Sequence, residues 1–178
     1  MIYMFLANGF EEVEALCPLD LIRRAGLDIK TVGVGGSHIT GSHGITVEAD
    51  MTVEQWNDAA PTAVILPGGM PGTTNLDACT TVHAALDAAN ATGALVAAIC
   101  AAPMILGKRG DLRGKEAICF PGFEQYLDGA TISSRKVARN GRFITAAGMG
   151  VALEFGLAIV AYFCGEEKAA ELKAAVQA

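Results

Sequence analysis

The chain has 178 residues, 52% of them apolar but only 6% aromatic, with 21 glycines and a formal net charge of −6. That length suits one domain over residues 1–178, with a core on both faces of a sheet. The acidic balance, with no basic group beyond the scatter Arg135, Lys136 and Arg139, argues against nucleic-acid binding by phosphate neutralisation.

The predicted elements alternate. Ile2–Leu6 reads as a strand, Glu11–Ala25 as a helix closed by Gly26, and Asp28–Val34 as a second strand. Gly41–Glu48 is a β-rich excursion carrying His43, with His38 just before it. Ala63–Leu66 is a short buried strand that runs into Pro67-Gly68-Gly69, and a helix is predicted near Ala78–Ala91. Leu95–Ile99 is the next strand. Ile118, Thr131–Ile132 and Phe143–Thr145 are shorter candidates, followed by helices over Gly150–Cys164 and Glu166–Val176. This alternation implies an α/β fold, a mostly parallel sheet with helices on both faces. Ligands in such sheets bind at the carboxyl ends of the strands, where the Gly69 loop and the turn after Ile99 both lie.

Five cysteines stand at 17, 79, 100, 119 and 164 without any C-x-x-C pair, so neither a disulfide framework nor a thiolate zinc site is suggested. A cytoplasmic setting is expected. Met1–Ala7 has no basic segment, and Val151–Cys164 is too short to span a membrane and carries Glu154. No H-E-x-x-H spacing or phosphate loop occurs, and Gly33-Val34-Gly35-Gly36 fails the dinucleotide fingerprint because His38 takes the last glycine's place. Neither a cofactor nor a metal is expected.

Ala98-Ile99-Cys100-Ala101-Ala102-Pro103 has the composition of a nucleophile elbow: a strand, a reactive residue between small neighbours, and a proline suited to the first turn of a helix. A helix N-terminus beside Cys100 would favour thiolate. The alternative is a buried structural cysteine. On the first helix Glu14 falls in the stripe of Pro18, Leu21 and Ile22, which would raise its pKa, unless the helix start leaves it solvated; Glu12 falls on the opposite side. Pro67-Gly68-Gly69 is either an ordinary turn or, with the Ala101 amide, an oxyanion hole. Histidines are few: His83 reads as a surface residue, and His43 could reach a cleft from its turn.

Together these stretches resemble the ThiJ/PfpI superfamily, in its Parkinsonism-associated deglycase (DJ-one) branch. The resemblance rests on Gly9-Phe10-Glu11-Glu12-Val13-Glu14, Ile22-Arg23-Arg24-Ala25-Gly26, Val64-Ile65-Leu66-Pro67-Gly68-Gly69, Ala97 through Pro103 and Glu154 through Val160. It implies a flavodoxin-like three-layer sandwich and a homodimer. It further implies a reactive Cys100 hydrogen-bonded to a protonated Glu14, with the Gly69 and Ala101 amides facing the sulfur. The implied activity is a cofactor-free glyoxalase or deglycase acting on methylglyoxal, glyoxal or their early adducts. The alternative is a redox sensor or chaperone whose Cys100 becomes a sulfinate. Phe120 stands where relatives often place a histidine, which weakens a cysteine-protease reading, and no His-x-Glu follows Cys100, which weakens an amidohydrolase one. His43 stands for an arginine as a substrate contact, and Gly148-Met149-Gly150 replaces a Gly-Pro-Gly turn.

Overall fold

The apolar runs read as strands are buried along their whole length, because helices cover both faces of the sheet they build. The computed structural model describes all 178 residues. Strand β1 (Ile2–Ala7) leads into helix α1 (Glu12–Arg24) and strand β2 (Ile29–Val34). A hairpin of β3 (His38–Thr40) and β4 (Thr46–Glu48) follows, then the two-residue β5 (Met51–Thr52) and β6 (Ala63–Leu66). Helices α2 (Gly72–Asp77) and α3 (Thr80–Thr92) precede β7 (Leu95–Ile99), α4 (Pro103–Lys108), β8 (Glu116–Ala117) and β9 (Thr131–Ile132). Strands β10 (Val137–Asn140) and β11 (Phe143–Ala146) come next, and α5 (Ala152–Cys164) and α6 (Glu166–Ala175) complete the chain.

The main sheet runs β10-β11-β7-β6-β1-β2-β5, with every pair parallel except β10–β11. Counting only β1, β2, β6, β7 and β11, the order is 2-1-3-4-5, the doubly wound arrangement of flavodoxin-like folds. The order reverses between β1 and β6, so the crevice for a ligand opens beyond the carboxyl ends of those two strands.

Alternate residues of β1 enter two separate cores. Ile2, Met4 and Leu6 join the core shared with α1, α5 and α6, while Tyr3, Phe5 and Ala7 join the one shared with α2, α3 and α4. Full burial of side chains such as Met4, Phe5 and Leu6 stabilises the fold by roughly 1.5–3 kcal/mol each.

Several boundaries differ from expectation for identifiable reasons. The single helix predicted near residues 78–91 is two, broken at Ala78–Cys79, where α3 starts afresh with no side-chain cap. The helix placed from Gly150 begins at Ala152, after a tight turn over Met149–Val151. The strand placed at Ile118 ends at Ala117, since the Ile118 N–H is taken by the Thr145 hydroxyl at 2.9 Å. Strands β5 and β10 escaped prediction: each lies at a sheet edge and is too short or too polar to show a buried alternation. No helix is long and apolar enough to cross a membrane.

Candidate functional site

Strand β7 ends at Ile99, and Cys100 takes up φ +65°, a left-handed conformation that costs a non-glycine residue about 1–2 kcal/mol. The turn is held from both sides. The Cys100 N–H donates to the Ala146 carbonyl at 2.8 Å, and its own carbonyl accepts from the Phe120 N–H at 2.8 Å. Small neighbours are needed, and Ala101 and Ala102 are fully packed. The expected helix dipole is weak, because α4 has only six residues and begins at Pro103. What faces the sulfur instead are the backbone amides of Ala101 and Gly69, both hydrogen-bonded to it.

Glu14 approaches from the first turn of α1. That turn is anchored by Glu11, whose carboxylate caps the helix by accepting the Glu14 N–H at 2.7 Å. The Glu14 side chain is 1% exposed, among the apolar residues of α1 and not solvated. Its Oε2 accepts the Gly68 N–H at 3.0 Å, and the Met149 N–H and the Cys100 thiol also bond it. Only glycine fits at position 68: a Cβ there would lie 2.5 Å from Glu14 Oε2 and 2.6 Å from Cys100 Cβ. Gly69, at φ +90°, turns its amide toward the sulfur in a conformation that other residues rarely adopt. The two loops lie beyond β1 and β6, on either side of the switch point.

This packing sets the electrostatics. Burial pushes the Glu14 carboxyl up to about 7, aided by the charge of Glu11 and opposed by the bonds from Cys100, Gly68 and Met149. Burial likewise pushes the Cys100 thiol up to about 12, with the charge and hydrogen bond of ionised Glu14 acting in the same direction and the Ala101 and Gly69 amides pulling back. Cys100 with Glu14 ionised is therefore a thiol. Moving its proton onto Glu14 removes the repulsion, turns the carboxyl into a donor to sulfur and leaves the thiolate facing two amides. Between about 7 and about 12 the pair holds one proton and one negative charge, and the arrangement that makes the sulfur a nucleophile is carboxylic acid with thiolate.

The remaining predicted residues fall elsewhere. Glu12, expected on the solvent side of α1, is buried, because the β3–β4 hairpin folds over it. Its carboxylate accepts the His43 N–H at 2.7 Å, His43 Nδ1 at 3.0 Å and, more loosely, the Ser42 hydroxyl and the Ile45 N–H. Burial raises this carboxyl, yet those bonds outweigh it and hold the pKa at about 2. The His43 side chain is 73% exposed and committed to Glu12; no hydrogen bond or ion pair joins it to Cys100 or Glu14. Ligand atoms of Glu11, Glu12 and His43 lie within 4.8 Å of one another, but the Glu11 and Glu12 oxygens already accept the bonds just described, so the group reads as an anchor for the hairpin. His83 is half-buried at the surface, with Nε2 donating to the Asp77 carbonyl at 2.7 Å and Nδ1 facing Arg109 at 3.0 Å. Sequence reasoning missed the Glu11 cap and the Gly68 and Met149 N–H groups. The carboxylate of Glu11, three residues before Glu14, was the one available signal, since backbone donors leave no mark on residue type.

Known proteins share this arrangement of chain and sheet. The profile of the DJ-1/PfpI family matches residues 1–162. The Parkinson disease protein 7 homolog of Danio rerio is 34% identical over 96% of this chain and 93% of its own length. Deglycase PH1704 of Pyrococcus horikoshii is 32% identical over 71% of this chain and 75% of its own. The chain spans only 39% of the length of the DJ-1 homolog B of Arabidopsis thaliana, which it matches at 34% identity over 94% of itself. Among solved structures, the crystal structure of Drosophila melanogaster DJ-1beta superposes with a TM-score of 0.93 at 31% identity, over 99% of this chain and 96% of that one. With a family profile across nearly its whole length and relatives matched end to end, the chain belongs to the DJ-1/PfpI family, in its DJ-1 branch.

Proposed function

We propose that this protein is a cysteine-dependent glyoxalase/deglycase, acting on methylglyoxal or glyoxal and on their early adducts. The observation that carries the reading is the Cys100–Glu14 pair, sharing one proton beneath the Gly69 and Ala101 amides. A relative named as a deglycase supports it.

In the proposed reaction the Cys100 thiolate adds to the aldehyde carbon, and the carbonyl π pair moves onto oxygen, where the two amides stabilise it. Glu14 supplies the proton that completes the hemithioacetal. As carboxylate it then removes the proton from the former aldehyde carbon and returns it to the adjacent carbon, giving a hydroxyacyl thioester. Water attacks that thioester, the thiol leaves, and lactate or glycolate is released. Methylglyoxal plus water thus balances to lactate, with oxidation of one carbon matched by reduction of its neighbour. The chain's own groups and water suffice for every step.

The test is lactate formation from methylglyoxal, corrected for scavenging by buffer and free thiols. Cys100→Ser is expected to abolish it, and Glu14→Gln to reduce kcat by about 10²–10³. Turnover in Cys100→Ser equal to wild type would end the proposal. A protein that consumes one equivalent and stops, gaining two oxygens on Cys100 under mild peroxide, would instead be the redox sensor. The family resemblance also leads us to propose a homodimer.

A further inference from the structure

Beside the Cys100–Glu14 pair lies a recess of about 410 Å³ that the carbonyl chemistry leaves unused. Its walls are apolar: Phe120, Pro121, Met149 and Val151, with the backbone of Gly148 between them. Two of these residues are unusually open for their type, Phe120 at 47% and Met149 at 53% exposure.

The wall of the recess adjoins the reacting groups through its main chain. The Phe120 N–H holds the Cys100 carbonyl at 2.8 Å. The Met149 N–H bonds Glu14. A Cβ placed on Gly148 would lie 3.3 Å from the Phe120 ring and 3.8 Å from Glu14 Oε1. A carbonyl carbon bound to Cys100 has this space beside it, and methylglyoxal's methyl group is far too small to fill it.

One charged side chain lines the recess, Lys136. Its neighbour Arg135 is paired with Glu116 at 2.9 Å, whereas Lys136 is exposed and engaged in no salt bridge. In a chain of net charge −6, an unpaired ammonium at the rim of an apolar recess is a local attractor for a carboxylate. The Phe120 ring offers an offset-stacking or edge contact to a planar group held between it and Met149.

We propose that this recess is the substituent pocket of the site, and that it selects α-oxoaldehydes bearing a planar apolar group that ends in a carboxylate. Phe120 and Met149 bind the apolar body and Lys136 the anionic end. The inference rests on the function proposed above and specifies its substrate class.

Two measurements test it separately from that function. The first compares kcat/KM for 4-carboxyphenylglyoxal and phenylglyoxal in each protein. The ratio of the two is expected to fall about threefold in Lys136→Ala and about tenfold in Lys136→Glu, through KM and not kcat. The second needs no turnover: equilibrium binding of the unreactive pair 4-acetylbenzoate and acetophenone, followed by NMR shifts of the Met149 methyl group. The 4-acetylbenzoate preference is expected to drop by the same factors. A binding ratio unmoved by Lys136→Glu, or no binding of either compound, overturns the pocket assignment even in an active enzyme. Lys136-dependent binding without turnover by wild type upholds the pocket and overturns the enzyme.

Discussion

At the scale of single residues, the site rests on one buried carboxyl and one strained cysteine. Glu14, raised from its ordinary 4.5 to about 7, favours the folded state while protonated. Its contribution is complete below about 4.5 and is lost as pH rises through about 7, a change of about 3 kcal/mol. Urea unfolding across that range should therefore show wild type losing stability relative to Glu14→Gln, whose side chain does not titrate. In the proposed reaction the same group shapes the rate. Wild-type kcat/KM is expected to rise with pH through about 7, as the pair loses its first proton, and Glu14→Gln is expected to lack that limb. Cys100 and Glu14 were legible in the sequence because each is chemically distinct from its apolar surroundings. The Gly68 and Met149 N–H groups that hold Glu14 were not, since a main-chain donor is the same whatever residue carries it.

Among elements, α1 and the β3–β4 hairpin form one unit through Glu12. Helical periodicity assigned Glu12 to solvent because it considered the helix alone, without the hairpin that packs over its first turn. A collision between any side chain at Gly41 and the Glu12 carboxylate shows how close that packing is. Glu12→Ala strips several donors of a shared acceptor and is expected to cost about 2 kcal/mol. Hydrogen exchange should report it as faster exchange at His43 and Ile45. A carboxyl held at about 2 contributes stability above about 4.5 that is lost as pH falls through about 2. The His43 ring, whose pKa Glu12 raises, contributes below its ordinary 6.5 and releases as pH climbs above its folded value. The hairpin thus gains a charged ring-to-carboxylate bond in mild acid that is lost in base, where the main-chain donors and the Ser42 hydroxyl remain. The long buried strands were readable from hydrophobic runs, but β10 was not: its Val137–Asn140 segment buries only Ala138 fully and gains its strand state from pairing with β11.

For the whole molecule, the parallel order 2-1-3-4-5 explains why residues from distant segments meet. The alternation of strands and helices made the layered fold legible, while the strand order itself had no local signature. Val13 of α1 and Ile45 of the hairpin are large apolar side chains left exposed, at 44% and 53%, on the unit that Glu12 joins. We expect the proposed homodimer to cover them. Sedimentation equilibrium should return twice the 18.4 kDa chain mass, and Val13→Glu with Ile45→Glu should return the single mass. A wild-type single mass across the micromolar range would overturn the dimer.

The cysteine elbow has a consequence for synthesis on the ribosome. Its main chain is tied to Ala146 and Phe120, and its partner carboxyl is completed by Met149. Glu14 and Gly69 emerge before Cys100, but a growing chain exposes the thiol well before Phe120, Ala146 and Met149 arrive to fix the pair. Because domains fold as units during translation, the thiol acquires its chemistry only once some five-sixths of the chain has left the exit tunnel. Every shorter fragment carries an ordinary cysteine.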